Sequence, residues 1–161
     1  MFKPVKTSDT IQVHSVYDPA IDWAAMQDAD KERRDKDALR SEIHSKAIDN
    51  LDALKCLKFK SGETPTIFTI GVIPSDILTA IQDQHGGLSR SAIELRWRCF
   101  LSGLRDVSWQ DKPEKRDVDG VSYVDPSWIK KTFVRGLRSV ALEIGMYVWQ
   151  FNRMTEDEAR L

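Results

Sequence analysis

This chain has little of what marks a chemically specialised protein. Its 161 residues include two cysteines, Cys56 and Cys99, and three histidines, His14, His44 and His85. There is no Cys-x-x-Cys pair, and no histidine has a second ligand-type residue at a spacing that shares a face, so no metal site is expected. The two cysteines sit inside apolar patterns and read as reduced, buried thiols of a cytosolic protein. No apolar run reaches the ~18 residues of a membrane span, and nothing after Met1 resembles a signal peptide. Excess charge is missing too. Lys and Arg number 24 against 25 Asp and Glu, a net charge of -1 that provides no global field toward nucleic acid or membrane. The phosphate-cradling patterns GxxxxGK[ST] and GxGxxG are absent, as are GxSxG and HExxH. No cofactor is expected, no catalytic residue is assigned, and the chain reads as a non-enzyme. Repeats and low-complexity segments are also absent.

What remains is ordinary for a globular domain, with 41% hydrophobic and 30% charged residues. The length suits one domain over residues 1–161, able to bury enough surface to stand without a disulfide or metal staple. The chain is organised around its last third. Asp125 can cap a helix and Pro126 suits the first turn, where its missing donor is no loss. Ile129, Phe133, Leu137, Val140, Ile144, Val148 and Phe151 then recur at steps of three and four, which predicts one helix of about seven turns. Lys130, Lys131, Arg135 and Arg138 take the opposite face of its first half. Further on, Met146, Tyr147, Val148, Trp149 and Phe151 surround the helix with large apolar side chains. Such a stretch must be covered, either by the fold itself or by another subunit.

Earlier segments read as follows. Alternation of Ile11 and Val13 against Gln12 and His14 predicts a strand over 10–16. Asp18 and Pro19 end it and open a short helix carrying Ile21, Trp23 and Met26. Nine of the ten residues over 28–37 are charged, which predicts a solvated helical insert with mixed signs. Lys31, Arg33 and Arg34 within it are candidates for docking a charged partner. Leu39, Ile43, Ala47, Leu51 and Leu54 predict an amphipathic helix over 37–53. Leu57 and Phe59, then Phe68 and Ile70, predict a hairpin turning at 61–64. Ser75 caps a helix with Ile77, Leu78 and Ile81 inward, and Gly86 and Gly87 stop it. Ser89 or Ser91 opens the next, with Ile93, Trp97, Phe100 and Leu104 as its stripe and Arg96, Arg98 and Arg105 outside. Residues 106–125 read as a polar loop with a tight turn at Asp119 and Gly120 and a brief extended pairing over 121–124.

The predicted fold is therefore α+β: mostly helical, with a small antiparallel sheet made of the amino-terminal strand and the hairpin, and a long carboxy-terminal helix. Asp117 and Asp119 lie among Lys112, Lys115 and Arg116 and read as solvated surface rather than a catalytic pair. Arg90, Arg96, Arg98 and Arg105, with Trp97 among them, and Lys130, Lys131, Arg135 and Arg138 are the best signal for a polyanion. Trp97 falls on the apolar stripe, however, so these basic faces suit acidic protein surfaces equally, and a specific nucleic-acid ligand is not expected.

Three separated pieces, in order, resemble a group of small proteins from the morphogenesis gene clusters of tailed bacteriophages. They are PVKTSDTIQVHSV over 4–16, TPTIFTIGVIPSDILTAI over 64–81, and the stretch 100–158 with GLRDVSW, DVDG, the long helix, Asn152 and MTEDE. The resemblance implies a protein that acts by contact, a structural component of the virion in the neck, connector or tail. Its partners would be other virion proteins and copies of itself in a ring or tube, and its locations the virion and, during assembly, the host cytoplasm. A tail assembly chaperone that leaves before maturation is the alternative, and a small DNA-binding regulator using the arginine faces a further one. Met146, Tyr147, Trp149, Phe151, Arg135 and Arg138 are the expected interface residues, and Lys31, Arg33, Arg34, Arg96 and Arg98 the charged docking set.

Overall fold

A computed structural model describes residues 8–85 and 92–160. It is an α+β fold of helices and two small antiparallel sheets. The first sheet has the order β1 (Thr10–Val13), β2 (Phe68–Gly71), β3 (Leu104–Val107), and the second pairs β4 (Lys115–Val118) with β5 (Val121–Val124). The helices are α1 (Trp23–Ala29), α2 (Lys36–Asp49), α3 (Ser75–His85), α4 (Ile93–Gly103), α5 (Pro126–Phe133) and α6 (Arg138–Arg160), with a 3-10 helix over Leu51–Cys56. No helix among the described residues is long and apolar enough to cross a membrane.

The central strand, β2, is flanked by β1, with Ile11 opposite Ile70, and by β3, with Phe68 opposite Val107. The expected hairpin between 57–59 and 68–70 does not form. Phe59 instead makes a single bridge to Ile21, with Asp22 N donating to the Lys58 carbonyl and Lys60 N to the Ala20 carbonyl, each at 2.8 Å. That leaves the second edge of β2 for β3, which lies where the sequence suggests helix end and loop. Four residues are too few for a period to show, and β3 begins as soon as α4 ends. Leaving the helix also carries Arg105 inward. Its guanidinium lies 4.1 Å from the Tyr123 ring and donates to the Val72 carbonyl at 2.7 Å. Gly71 leaves the room it needs, because a Cβ there would come within 2.8 Å of the Arg105 guanidinium.

Three other expectations change. Residues 28–37 are not a helical insert: α1 stops at Ala29 because the Asp30 carboxylate accepts from Arg34 N at 2.9 Å and from its Nε at 3.0 Å, in competition with the helical pattern. Asp35 then caps α2 by accepting from Ala38 N. Half of residues 106–125 is strand rather than loop, with β4 pairing the extended stretch expected over 121–124, and the Asp119-Gly120 turn is where it was expected, with φ of 52° and 79° suited to a two-residue hairpin. The long helix is two helices. Gly136, at φ 79°, turns the chain between α5 and α6 in the left-handed region that favours glycine. The three-four spacing runs across this break because both helices rest on one core, where Ile129, Phe133, Ile144 and Val148 are fully buried. The proposed stop at Gly86 and Gly87 and start at Ser89 or Ser91 lie outside the described residues.

The core is centred on α6 lying against α4. A Cβ at Gly145 would stand 2.0 Å from the Arg96 carbonyl oxygen, and one at Gly103 would stand 2.3 Å from Val148 Cγ1. This close approach turns α4 so that Leu95, Cys99, Phe100 and Gly103 face inward, while Ile93, expected on the stripe, is 55% exposed. Phe133 seals one end, edge-on to Phe100 at 4.9 Å and stacked by Trp109 at 5.5 Å. Cys99 is buried as expected, but Cys56, at the end of the 3-10 helix, is exposed. Gly145→Ala should therefore destabilise the protein by about 1–3 kcal/mol or more, since the obstacle is backbone rather than a yielding side chain. Gly136→Ala meets nothing within 4 Å and should cost only about 1 kcal/mol through its backbone conformation. Urea unfolding midpoints of the two variants check the ranking.

Candidate protein-contact surface

The elbow between α5 and α6 gathers the strongest contact chemistry on the described surface. Asp125 Oδ1 accepts from Ser127 N at 2.8 Å and Pro126 occupies the first turn, fixing where α5 starts. Ile129 and Phe133 face the core, so Lys130 and Lys131 are left in solvent. The turn at Gly136 then presents Val134, 58% exposed, beside Arg135 and Arg138, both exposed. Trp97 of α4, half-buried and 6.2 Å from the Phe100 ring, closes a hollow of about 360 Å³ whose described lining is Trp97, Lys130, Val134 and Arg138. On the other side of the elbow, Tyr17, Pro19, Phe68, Trp109, Leu137 and Val140, together with Ser15, Asp18 and Thr66, border a second, mainly apolar hollow of about 320 Å³.

The structure separates the sequence-derived candidates. Met146, Tyr147 and Phe151 are core: they are 1%, 0% and 9% exposed, enclosed where α6 meets α4, α2 and the first sheet. Trp149 is half-buried against the same core. The monomer itself supplies the cover that this apolar stretch demands, so the expectation of a subunit interface there is overturned. Arg135 and Arg138 remain available on the elbow. Arg33 and Arg34 are engaged within their own segment, Arg33 with Asp28 at 3.0 Å and Arg34 with Asp30 and Glu42, while Lys31 is exposed. The Arg34 hydrogen bonds hold the Asp30 carboxyl down to about 2. Arg98 is half-buried and donates to Gln84, and Arg96 is half-buried with its carbonyl under Gly145. The docking set is thus dispersed, and its members at 31–34 lie in a segment folded onto its own acids.

Sequence reading missed a buried polar network beneath the elbow. Glu143, 2% exposed, accepts from Ser15 Oγ at 2.5 Å, Val16 N at 2.8 Å and Tyr147 Oη at 2.7 Å. Tyr147 Oη is also 3.2 Å from His44 Nδ1 on α2, and Arg40 Nε donates to the Val16 carbonyl. The network joins the exit of β1 to α6 and α2, and fixes the loop over 15–19 that borders the apolar hollow. Its one sequence signal is a carboxylate set within VALEIGMYV, four residues before a tyrosine. A second tie of this kind is Asn152, whose Oδ1 accepts from Ile73 N at 2.8 Å while its Nδ2 donates to the Gly71 carbonyl. Among the described residues no group of three or more His, Cys, Asp or Glu is placed to hold a metal ion.

Burial pushes the Glu143 carboxyl up to about 7, against the pull of Ser15, Val16, Tyr147 and Arg40 toward the ionised form. Burial likewise raises Tyr147, with Glu143 adding to it, and burial together with the Arg96 charge lowers His44. Because the folded value lies above the ordinary 4.5, the contribution of Glu143 is complete below that pH and is lost as pH rises to about 7. The stability advantage of the parent chain over Glu143→Gln should therefore be larger near about pH 5 than near about pH 8. Urea midpoints of both proteins at the two pH values test this, and an advantage flat with pH would refute it. Compared with family models, curated proteins and solved structures, the chain matches none.

Proposed function

We propose that the chain is a non-catalytic morphogenesis protein of a tailed bacteriophage that acts by protein contact through the α5–α6 elbow. The phage setting rests on the order and spacing of the three segments described above, and it implies a structural component of the virion in the neck, connector or tail. The observation that carries contact as the mode of action is the elbow itself. There an exposed aliphatic side chain, Val134, lines a hollow with Lys130 and Arg138, and the neighbouring Lys131 and Arg135 are exposed as well, on a packed base. Contact surfaces join an apolar centre to a polar rim in this way.

One observation favours the alternative of an assembly chaperone. Permanent rings use interfaces of about 2,000 Å² or more that resemble a core cut in half. Here the large apolar cluster of α6 is consumed inside the monomer, and among the described residues the exposed large apolar side chains are Tyr17, Ile93 and Val134, dispersed along the chain. A surface of that kind suits a partner that is held and later released.

Quantitative mass spectrometry of purified mature particles and of infected cells separates the two. A fixed copy number in mature particles supports the virion component. Presence in infected cells, cross-linked to a tail or head protein but absent from particles, supports the chaperone. Absence from particles together with no cross-link to any morphogenesis protein would overturn both.

A further inference from the structure

We infer that the elbow hollow takes an acidic protein segment that presents an aliphatic side chain, which names the partner chemistry for the contact surface proposed above and rests on that reading. The first support is segregation of charge. Residues 126–142 hold Lys130, Lys131, Arg135 and Arg138 and no carboxylate; since the whole chain carries -1, everything outside this stretch sums to -5. All four cations are exposed. The result is a small basic island on an otherwise acidic molecule.

The second support is what lies within the island. Val134 is 58% exposed beside the half-buried Trp97, and together with Lys130 and Arg138 they are the described lining of a hollow of about 360 Å³. That volume accommodates one or two aliphatic side chains. Covering Val134 with an aliphatic group removes apolar surface from water, whereas a phosphate placed over it would lose hydration for nothing. The matching ligand therefore carries an apolar anchor flanked by carboxylates, which Lys130 and Arg138 at the hollow, and the exposed Lys131 and Arg135 next to them in the chain, can meet.

The same facts weigh against nucleic acid. An extended polyanion gains affinity with each phosphate it neutralises and is poorly served by four cations. A short acidic segment touches only the island. Trp97, moreover, is half-buried beside Phe100, and so offers less of an open platform than base stacking uses.

The test uses the purified full chain and fluorescence anisotropy with three labelled probes: a short peptide of glutamates with interspersed leucines, the same peptide with the leucines replaced by serine, and an oligothymidylate of equal charge. The leucine-containing peptide should bind more tightly than either of the others, with affinity falling as salt is raised. Combined Arg135→Glu and Arg138→Glu should weaken it at least ~tenfold, a loss within the usual range for reversing charges at a contact. Val134→Ser should weaken it several-fold while barely changing the serine-containing peptide. All three substituted residues are exposed, and unchanged circular dichroism will confirm that the variants fold. Failure of the leucine-containing peptide to bind, or equal binding to parent and variants, overturns the inference. Tighter binding of the oligothymidylate overturns it in favour of a nucleic-acid site. Because this assay needs no phage, a negative result leaves the assignment by particle composition standing, and particles without the protein would leave a positive peptide result standing.

Discussion

The close approach of α6 to α4 is the constraint from which the remaining structure follows. With Gly145 against the Arg96 carbonyl and Gly103 against Val148, the two helices meet closer than side chains allow, and their mutual rotation is set. That rotation decides which face of α4 is core, and so why Ile93 is in solvent while Leu95 and Cys99 are not. It also places Phe133 under Phe100, which brings α5 in at the angle that needs the Gly136 turn. Small residues at such crossings serve interlocking rather than flexibility. Interiors packed at crystal-like density leave little room for a methyl group at either position.

Polar groups then lock what the apolar contacts have placed. Glu143 brings a carboxylate into the interior and satisfies it with a serine hydroxyl, a backbone amide and a tyrosine hydroxyl. Asn152 does the same for the backbone where β2 runs out. Burying a carboxylate is unfavourable even when it is well bonded, which is why the Glu143 carboxyl stays protonated further up the pH scale than an exposed one. In exchange the network gives the loop over 15–19 one position only, so the apolar hollow beside the elbow has a fixed wall.

Much of this fold was legible in the sequence, and the exceptions share physical causes. The α+β class, the cap at Asp125, the start of α3 at Ser75, the Asp119-Gly120 turn and the inward line from Ile129 to Val148 all rest on local rules, and local rules are what a single sequence exposes. The partner of β2 was misassigned because strand pairing is decided at long range, and four-residue strands carry almost no period of their own. The helix over 28–37 failed because helix-forming charges were outbid by one aspartate closing onto the backbone of Arg34. The break at Gly136 was hidden because the apolar spacing runs through it. At the contact surface, the cations of the elbow were readable from their clustering. The fate of Tyr147 and its neighbours was not, since a helix that is apolar all round looks the same whether its own chain or another covers it.

The ties between the two ends of the chain bear on how the protein is made. Ser15 and Val16 find their acceptor on Glu143, more than 120 residues later, and the amide of Ile73 waits for Asn152. During synthesis the first sheet and α4 emerge well before α6. At the usual ribosomal pace of about 5–20 residues per second, they spend seconds with their apolar faces uncovered and those amides turned to water. A nascent chain halted before residue 138 thus lacks its central helix, and native structure is reached only once the stretch carrying Glu143 and Asn152 has emerged.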